Sequence, residues 1–180
     1  GSYLRTFSVP ADWKGREVFI TFDGVDSFFY LWINGKYVGF SKNSRNSAEF
    51  NITPYLNEEG ENTVAVEVYR SSDASFLEAQ DMFRLPGIFR TVSLTSRNPV
   101  ELRDIRVRTD LDAQYKDAVA NIEVDVRNLT KKAAKKYQVK AQLYKNALYS
   151  DENEAVEGAV ATVAIDKVVA GETNTVKLDI

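Results

Sequence analysis

Glu78 and Asp81 stand three residues apart within SFLEAQDMFRLPGIFR, residues 75–90. Paired carboxyl groups roughly 5 to 9 Å apart are what glycoside hydrolysis requires, one as acid and the other as nucleophile or base. Three residues of chain admit that chemistry without selecting it. Asp81 poses a second question: Met82, Phe83, Leu85 and Ile88 follow it, and an unpaired carboxylate in apolar surroundings is destabilising. Two readings are open, an ion pair with Arg45, Arg84 or Arg90 that anchors a loop, or contact with a ligand. Glu49, Glu58, Glu59 and Glu61 form another acidic group, which Gly60 and Asn62 mark as a wet loop. Phe28, Phe29, Tyr30, Trp32, Tyr37 and Phe40 crowd into one stretch. Sugar sites set aromatic faces beside polar groups, while core packing is the competing reading.

What the chain lacks excludes more than what it has. Without cysteine or histidine there is no disulfide, no thiol nucleophile, no imidazole base and no zinc site of the usual ligands. Most hydrolase triads fall with them. A net charge of -3 gives no electrostatic reason to expect nucleic acid or an anionic membrane as a partner. No apolar run approaches the ~20 residues that span a bilayer. A soluble chain is expected, and its compartment is left open, since cytoplasm and periplasm both suit a cysteine-free chain.

The elements that must carry these side chains read as strands. Val18, Ile20 and Phe22 alternate with Phe19, Thr21 and Asp23, and Val64, Val66 and Val68 with Thr63, Ala65 and Glu67, the period of half-buried strands. The same period turns Phe28, Tyr30 and Trp32 to one face and Phe29, Leu31 and Ile33 to the other. Asn34-Gly35 between two β-rich runs predicts a hairpin, because both central residues of a type I′ turn need positive φ. Further strands are expected at 3–9, 27–33, 36–41, 48–52 and 87–96, with one helical turn within TPYLNEEGEN. The first part is thus an all-β sandwich.

Asn98-Pro99 breaks the pattern, since proline withdraws a ladder donor, and places a boundary at about 97. Beyond it Ile105 and Val107, then Ala120, Ile122, Val124 and Val126, then Tyr137, Val139, Ala141 and Leu143 define alternating strands with charged outer faces. The basic run in NLTKKAAKKYQ reads as a solvated turn. Its Asn128-Leu129-Thr130 triplet matches the short glycosylation pattern.

Two long segments carry a resemblance. FDGVDSFFYLWINGKYVGFSKNSRNSAEFNITPYL, residues 22–56, and SSDASFLEAQDMFRLPGIFRTVSL, residues 71–94, resemble the sugar-binding domain of glycoside hydrolase family 2, most closely that of its large bacterial β-galactosidases. FRLPGIFR, residues 83–90, is similar to a pattern shared across the family, β-glucuronidases and β-mannosidases included. Gln80-Asp81-Met82 points to β-galactosidase. Phe83 is a departure, standing where the galactosidases usually carry Trp.

The resemblance implies a jelly-roll-like, galactose-binding-type sandwich over 1–97, followed by an immunoglobulin-like β-sandwich over 98–180 and then a (β/α)₈ barrel beyond this sequence. It implies retaining hydrolysis of terminal non-reducing β-D-galactose, with the catalytic glutamates and the magnesium ligands in the barrel. No catalytic residue is expected in this chain. Asp81 is implied to be a sodium ligand beside the galactose, hence also a substrate-site residue, in the full-length enzyme, with no cofactor tightly bound by this chain alone. Residues 98–180 supply about five strands where an immunoglobulin-like sandwich has ~7. Unpaired edges template pairing, so a homo-oligomer is expected. The alternatives are a stand-alone carbohydrate-binding module, an interaction module of a surface protein, and part of a β-glucuronidase or β-mannosidase.

Overall fold

The computed structural model describes residues 1–57, 59–78, 81, 83–146 and 153–180. Its chain divides into two compact units, Gly1–Asn98 and Pro99–Ile180. The first unit contains β1 (Ser2–Phe7), β2 (Glu17–Phe22), β3 (Val25–Asp26), β4 (Phe28–Ile33), β5 (Lys36–Ser41), β6 (Ala48–Asn51), β7 (Asn62–Tyr69), the short helix α1 (Ala74–Leu77), β8 (Gly87–Ile88) and β9 (Val92–Arg97). The second contains β10 (Val100–Leu111), β11 (Ala118–Asn128), β12 (Ala134–Asn146), β13 (Asn153–Val168) and β14 (Thr173–Asp179). The all-β expectation holds.

In the first unit a sheet of order β1-β7-β4-β5 faces one of order β6-β2-β9. Alternation decides what lies between them. Phe29, Leu31 and Ile33 of β4 and Val66 and Val68 of β7 meet Val18, Ile20 and Phe22 of β2 in one buried cluster. Phe28, Tyr30 and Trp32 take the opposite face, where their rings contact one another and Tyr37, Phe40 and Tyr69 at centroid separations of 4.7 to 6.3 Å. Phe19, on the outer face of β2, is buried as well, under the Arg97 guanidinium at 4.5 Å from its ring centre.

Asn34 and Gly35 join β4 to β5 with φ of 50° and 74°, the left-handed pair that a two-residue hairpin needs. Asn34 also stitches the turn to the start of β7. Its amide donates to the Tyr55 carbonyl at 2.9 Å and to Asn62 Oδ1 at 2.8 Å, and its carbonyl oxygen accepts from the Thr63 N–H at 2.8 Å.

The strand expected over 87–96 is two strands with different partners. β8 pairs with β3, placing Gly87 opposite Asp26 and Ile88 opposite Val25, while β9 pairs with β2. The break falls at Phe89 and Arg90, which turn toward Gly24. A Cβ at Gly24 would stand 2.7 Å from Phe89 Cζ and 3.0 Å from Arg90 Cδ, so only glycine permits that approach.

The second unit sets a sheet of order β10-β11-β14 beside the β12-β13 pair, with Ile122, Val124, Val126, Val139, Ile165, Val168 and Leu178 in its core. Ile105 and Val107 pair with Val124 and Ile122, so their face is as alternation predicts. They are nevertheless 55% and 60% exposed. β10 is the edge of three strands packed on two, and its apolar residues overhang the core. The basic run is only in part the expected turn: Lys131 and Lys132 lie between β11 and β12, while Lys135 and Lys136 already belong to β12. Asn128 at its start is fully buried, donating to the carbonyls of Lys132, Val168 and Val169 at 2.7, 3.1 and 3.3 Å. The glycosylation triplet is therefore a structural asparagine.

Candidate functional site

Residues 72–90 form the connection that carries the carboxylates, and it is built from its N-terminal end. Ser72 and Ser75 close a turn, the Ser75 N–H donating to the Ser72 carbonyl at 3.1 Å and Ser75 Oγ accepting from the Ser72 N–H at 3.0 Å. Asp73 precedes α1 and its carboxylate accepts from the adjacent Ala74 N–H at 2.9 Å. Lys42 reaches Asp73 at 2.8 Å, and its hydrogen bond holds the Asp73 carboxyl below the usual carboxylate range.

Glu78 follows α1 directly. One of its oxygens accepts from the Ser44 N–H at 3.1 Å and the other from the Ser44 hydroxyl at 2.5 Å. Ser44 is buried. With both oxygens engaged, Glu78 anchors the loop, and the reading of Glu78 and Asp81 as a hydrolytic pair is not what the fold builds.

Arg45, the next residue, holds the other side. Its guanidinium donates to the Phe83 carbonyl at 3.0 Å, lies 3.6 Å from the buried Asp26 carboxylate and rests 4.9 Å from the Phe89 ring centre. Arg90 covers the same ring at 5.2 Å and donates to the carbonyls of Arg45 at 3.0 Å and Asp23 at 3.3 Å. A polar cavity of about 180 Å³ opens among Asp26, Arg45, Arg70, Glu78 and Arg84.

Asp81 itself is exposed. Of the apolar residues that follow it, Phe83 is 89% and Leu85 69% exposed. Ile88 by contrast packs against the core and Phe89 against Gly24, so apolar composition alone does not decide burial here. Arg45 and Arg90 are engaged elsewhere, and among the described residues no ion pair or hydrogen bond to Asp81 is present. Ala79, Gln80 and Met82 lie outside the described residues, and with them two members of the Gln80-Asp81-Met82 triplet.

The other acidic group separates. Glu49 belongs to β6 and is bound by Arg97, whereas Glu59 and Glu61 are exposed in the turn before β7 and Glu58 lies outside the described residues. Among the described residues no three acidic side chains gather as a metal site would require. A cleft of about 860 Å³ between β1 and the β2–β9 ladder is lined mainly by apolar side chains, Leu4, Phe7, Ile20, Ile88, Val92 and Leu94 among them, and by no carboxylate.

The family model for the sugar binding domain of glycosyl hydrolases family 2 matches residues 1–99. The chain belongs to that family. It is 52% identical over 128 residues to a β-galactosidase of Priestia megaterium, a match covering 71% of this chain and 12% of the relative. To a β-galactosidase of Pectobacterium atrosepticum it is 47% identical over 146 residues, 81% of this chain and 14% of that protein. This family-2 chain therefore spans about an eighth of the length of these relatives. Among solved structures, a β-glucuronidase of Bacteroides uniformis superposes on 99% of the chain with a TM-score of 0.84 at 22% identity, using 21% of its own length. A putative β-galactosidase of Bacteroides fragilis superposes on 99% with a TM-score of 0.82 at 20% identity, using 26% of its length. At that identity the likeness is one of fold. No helix among the described residues is long and apolar enough to cross a membrane.

Proposed function

We propose that this chain is the sugar-binding region of a β-galactosidase that removes terminal non-reducing β-D-galactose, and that it contributes one wall of the active site and Asp81 as a ligand for sodium. The observation that carries the reading is the contrast within one loop of a family-2 chain: Glu78 has both oxygens engaged by Ser44, while Asp81 is exposed without a protein partner among the described residues. A carboxylate left open on a braced loop suits a ligand that arrives from outside the chain. Identity of 47 to 52% to named β-galactosidases supports the substrate class.

The donor set fits a hard cation in part. Carboxylate oxygen is the ligand type such ions prefer, and with no group of three acidic side chains placed to hold a metal among the described residues Asp81 would supply one ligand of a shell completed by other parts of the enzyme and by substrate. When bound, the cation supplies fixed positive charge beside sugar hydroxyls. Asp81 would hold that ion against the wall, which Glu78 braces through Ser44 and Arg45 through the Phe83 carbonyl. The acid and nucleophile of a retaining glycosidase, and the magnesium ligands, are assigned to the barrel. The chain by itself then turns over nothing.

Assay of the full-length protein and of this chain on a chromogenic β-galactoside and the matching β-glucuronide tests the reading. Galactoside turnover by the full-length protein alone, with retained anomeric configuration, is the expected result. Preference for the glucuronide, or galactoside turnover by the 180-residue chain, would overturn it.

A further inference from the structure

We propose that Ser44 and Arg45 are positioning residues that grip the segment bearing Asp81 from both sides and set where its carboxylate stands. The inference rests on the sodium-ligand reading of Asp81 and adds to it the device that fixes the ligand. Ser44 takes hold of Glu78, three residues before Asp81, through its N–H at 3.1 Å and its hydroxyl at 2.5 Å. Arg45 takes hold of the Phe83 carbonyl, two residues after Asp81, at 3.0 Å. Adjacent residues of the β5–β6 connection thus hold Glu78 on one side of Asp81 and Phe83 on the other.

The clamp is itself fixed. Ser44 is buried. Arg45 is held by Asp26 at 3.6 Å, by the Phe89 face at 4.9 Å and through its own carbonyl by Arg90 at 3.0 Å, and Asp26 belongs to the β3–β8 ladder. A line of contacts therefore runs from the sandwich to the two residues that flank Asp81. The grip on the C-terminal side acts on the Phe83 backbone, so the ring at that position can vary without loosening it. Arginine suits the position because its planar fork can serve a carbonyl, a carboxylate and an aromatic face together, which a lysine ammonium cannot.

Two measurements test the clamp. On the 180-residue chain, tryptic cleavage after Arg84 reads how freely the segment opens, independently of sodium and of activity. Ser44→Ala and Arg45→Lys are expected to speed that cut several-fold while circular dichroism keeps its β signal. An unchanged rate in both variants overturns the proposal. On the full-length protein, the sodium concentration giving half-maximal β-galactoside turnover is expected to rise about tenfold in either variant, the scale of one lost hydrogen bond to a charged group, with kcat recovering at saturating sodium. Neither variant is expected to shift sodium dependence further in an Asp81→Asn background, as a double-mutant cycle requires of residues acting through one another. Additive shifts in that background overturn the positioning role. If Asp81→Asn alone leaves sodium dependence unchanged while the Arg84 cut accelerates, the clamp stands and the sodium reading of Asp81 falls.

Discussion

Phe89 lies against Gly24 so closely that a methyl group on Gly24 would stand 2.7 Å from Phe89 Cζ. The ring is covered on its faces by Arg45 and Arg90, and the Phe89 N–H donates to the Gly24 carbonyl at 3.3 Å. This contact is the rigid end of the structure that braces the carboxylate loop.

Gly24→Ala is therefore expected to overpack the contact, a change that typically destabilises by about 1 to 3 kcal/mol, and to displace Arg45 as well. Urea unfolding followed by tryptophan fluorescence checks it, since Trp13 and Trp32 both lie in the first unit. A midpoint equal to that of the parent chain would show that Phe89 yields without loss.

Asn128 predicts a comparable effect in the second unit. Replacing it with alanine leaves the carbonyls of Val168 and Val169 without its amide and the Thr130 N–H without its acceptor, while the Thr130 hydroxyl keeps the Lys132 carbonyl at 2.6 Å. Buried groups left unsatisfied destabilise by about 1 to 3 kcal/mol each. Thermal melts of the second unit's amide NMR signals should move down while those of the first unit stay. Coincident shifts in both units would contradict the local account.

Acid should act on the second unit through Arg106. Its guanidinium binds Asp125 at 2.9 Å, Asp104 at 2.7 Å and Glu123 at 3.3 Å. The Arg106 hydrogen bonds, with help from Thr175, lower the Asp125 carboxyl to about 2, and Lys177 followed by Arg106 lowers Glu123. A carboxylate depressed on folding contributes stability above its unfolded pKa of ~4 and loses it as pH falls through the folded value. Stability of this unit should thus decline between about pH 4 and pH 2, less steeply in Arg106→Gln and at high salt. An Arg106→Gln variant with the parent's acid profile would refute that assignment.

What sequence made legible was whatever depends on near neighbours. Asn34-Gly35 announced its hairpin because positive φ is a local demand, and alternation along residues 28–33 separated the inward Phe29, Leu31 and Ile33 from the outward rings. Alternation told which face Ile105 and Val107 share but not that β10 overhangs its partner sheet, since coverage is a property of the opposite layer. The bond of Glu78 to Ser44 joins residues 34 apart in sequence and had no local signal. Asp81 was read as a carboxylate in an apolar setting, yet Phe83 and Leu85 face solvent: composition counts neighbours along the chain, whereas burial depends on what packs across it.

Asp81→Asn in the full-length protein is the most direct test, because it keeps the shape and removes the charge. The account predicts that the sodium concentration for half-maximal β-galactoside turnover rises about 10- to 150-fold, equivalent to the ~1.5 to 3 kcal/mol of an interaction with a charged group, while the unfolding midpoint stays near that of the parent because Asp81 has no protein partner to lose among the described residues. Normal turnover with an unaltered sodium dependence would contradict it.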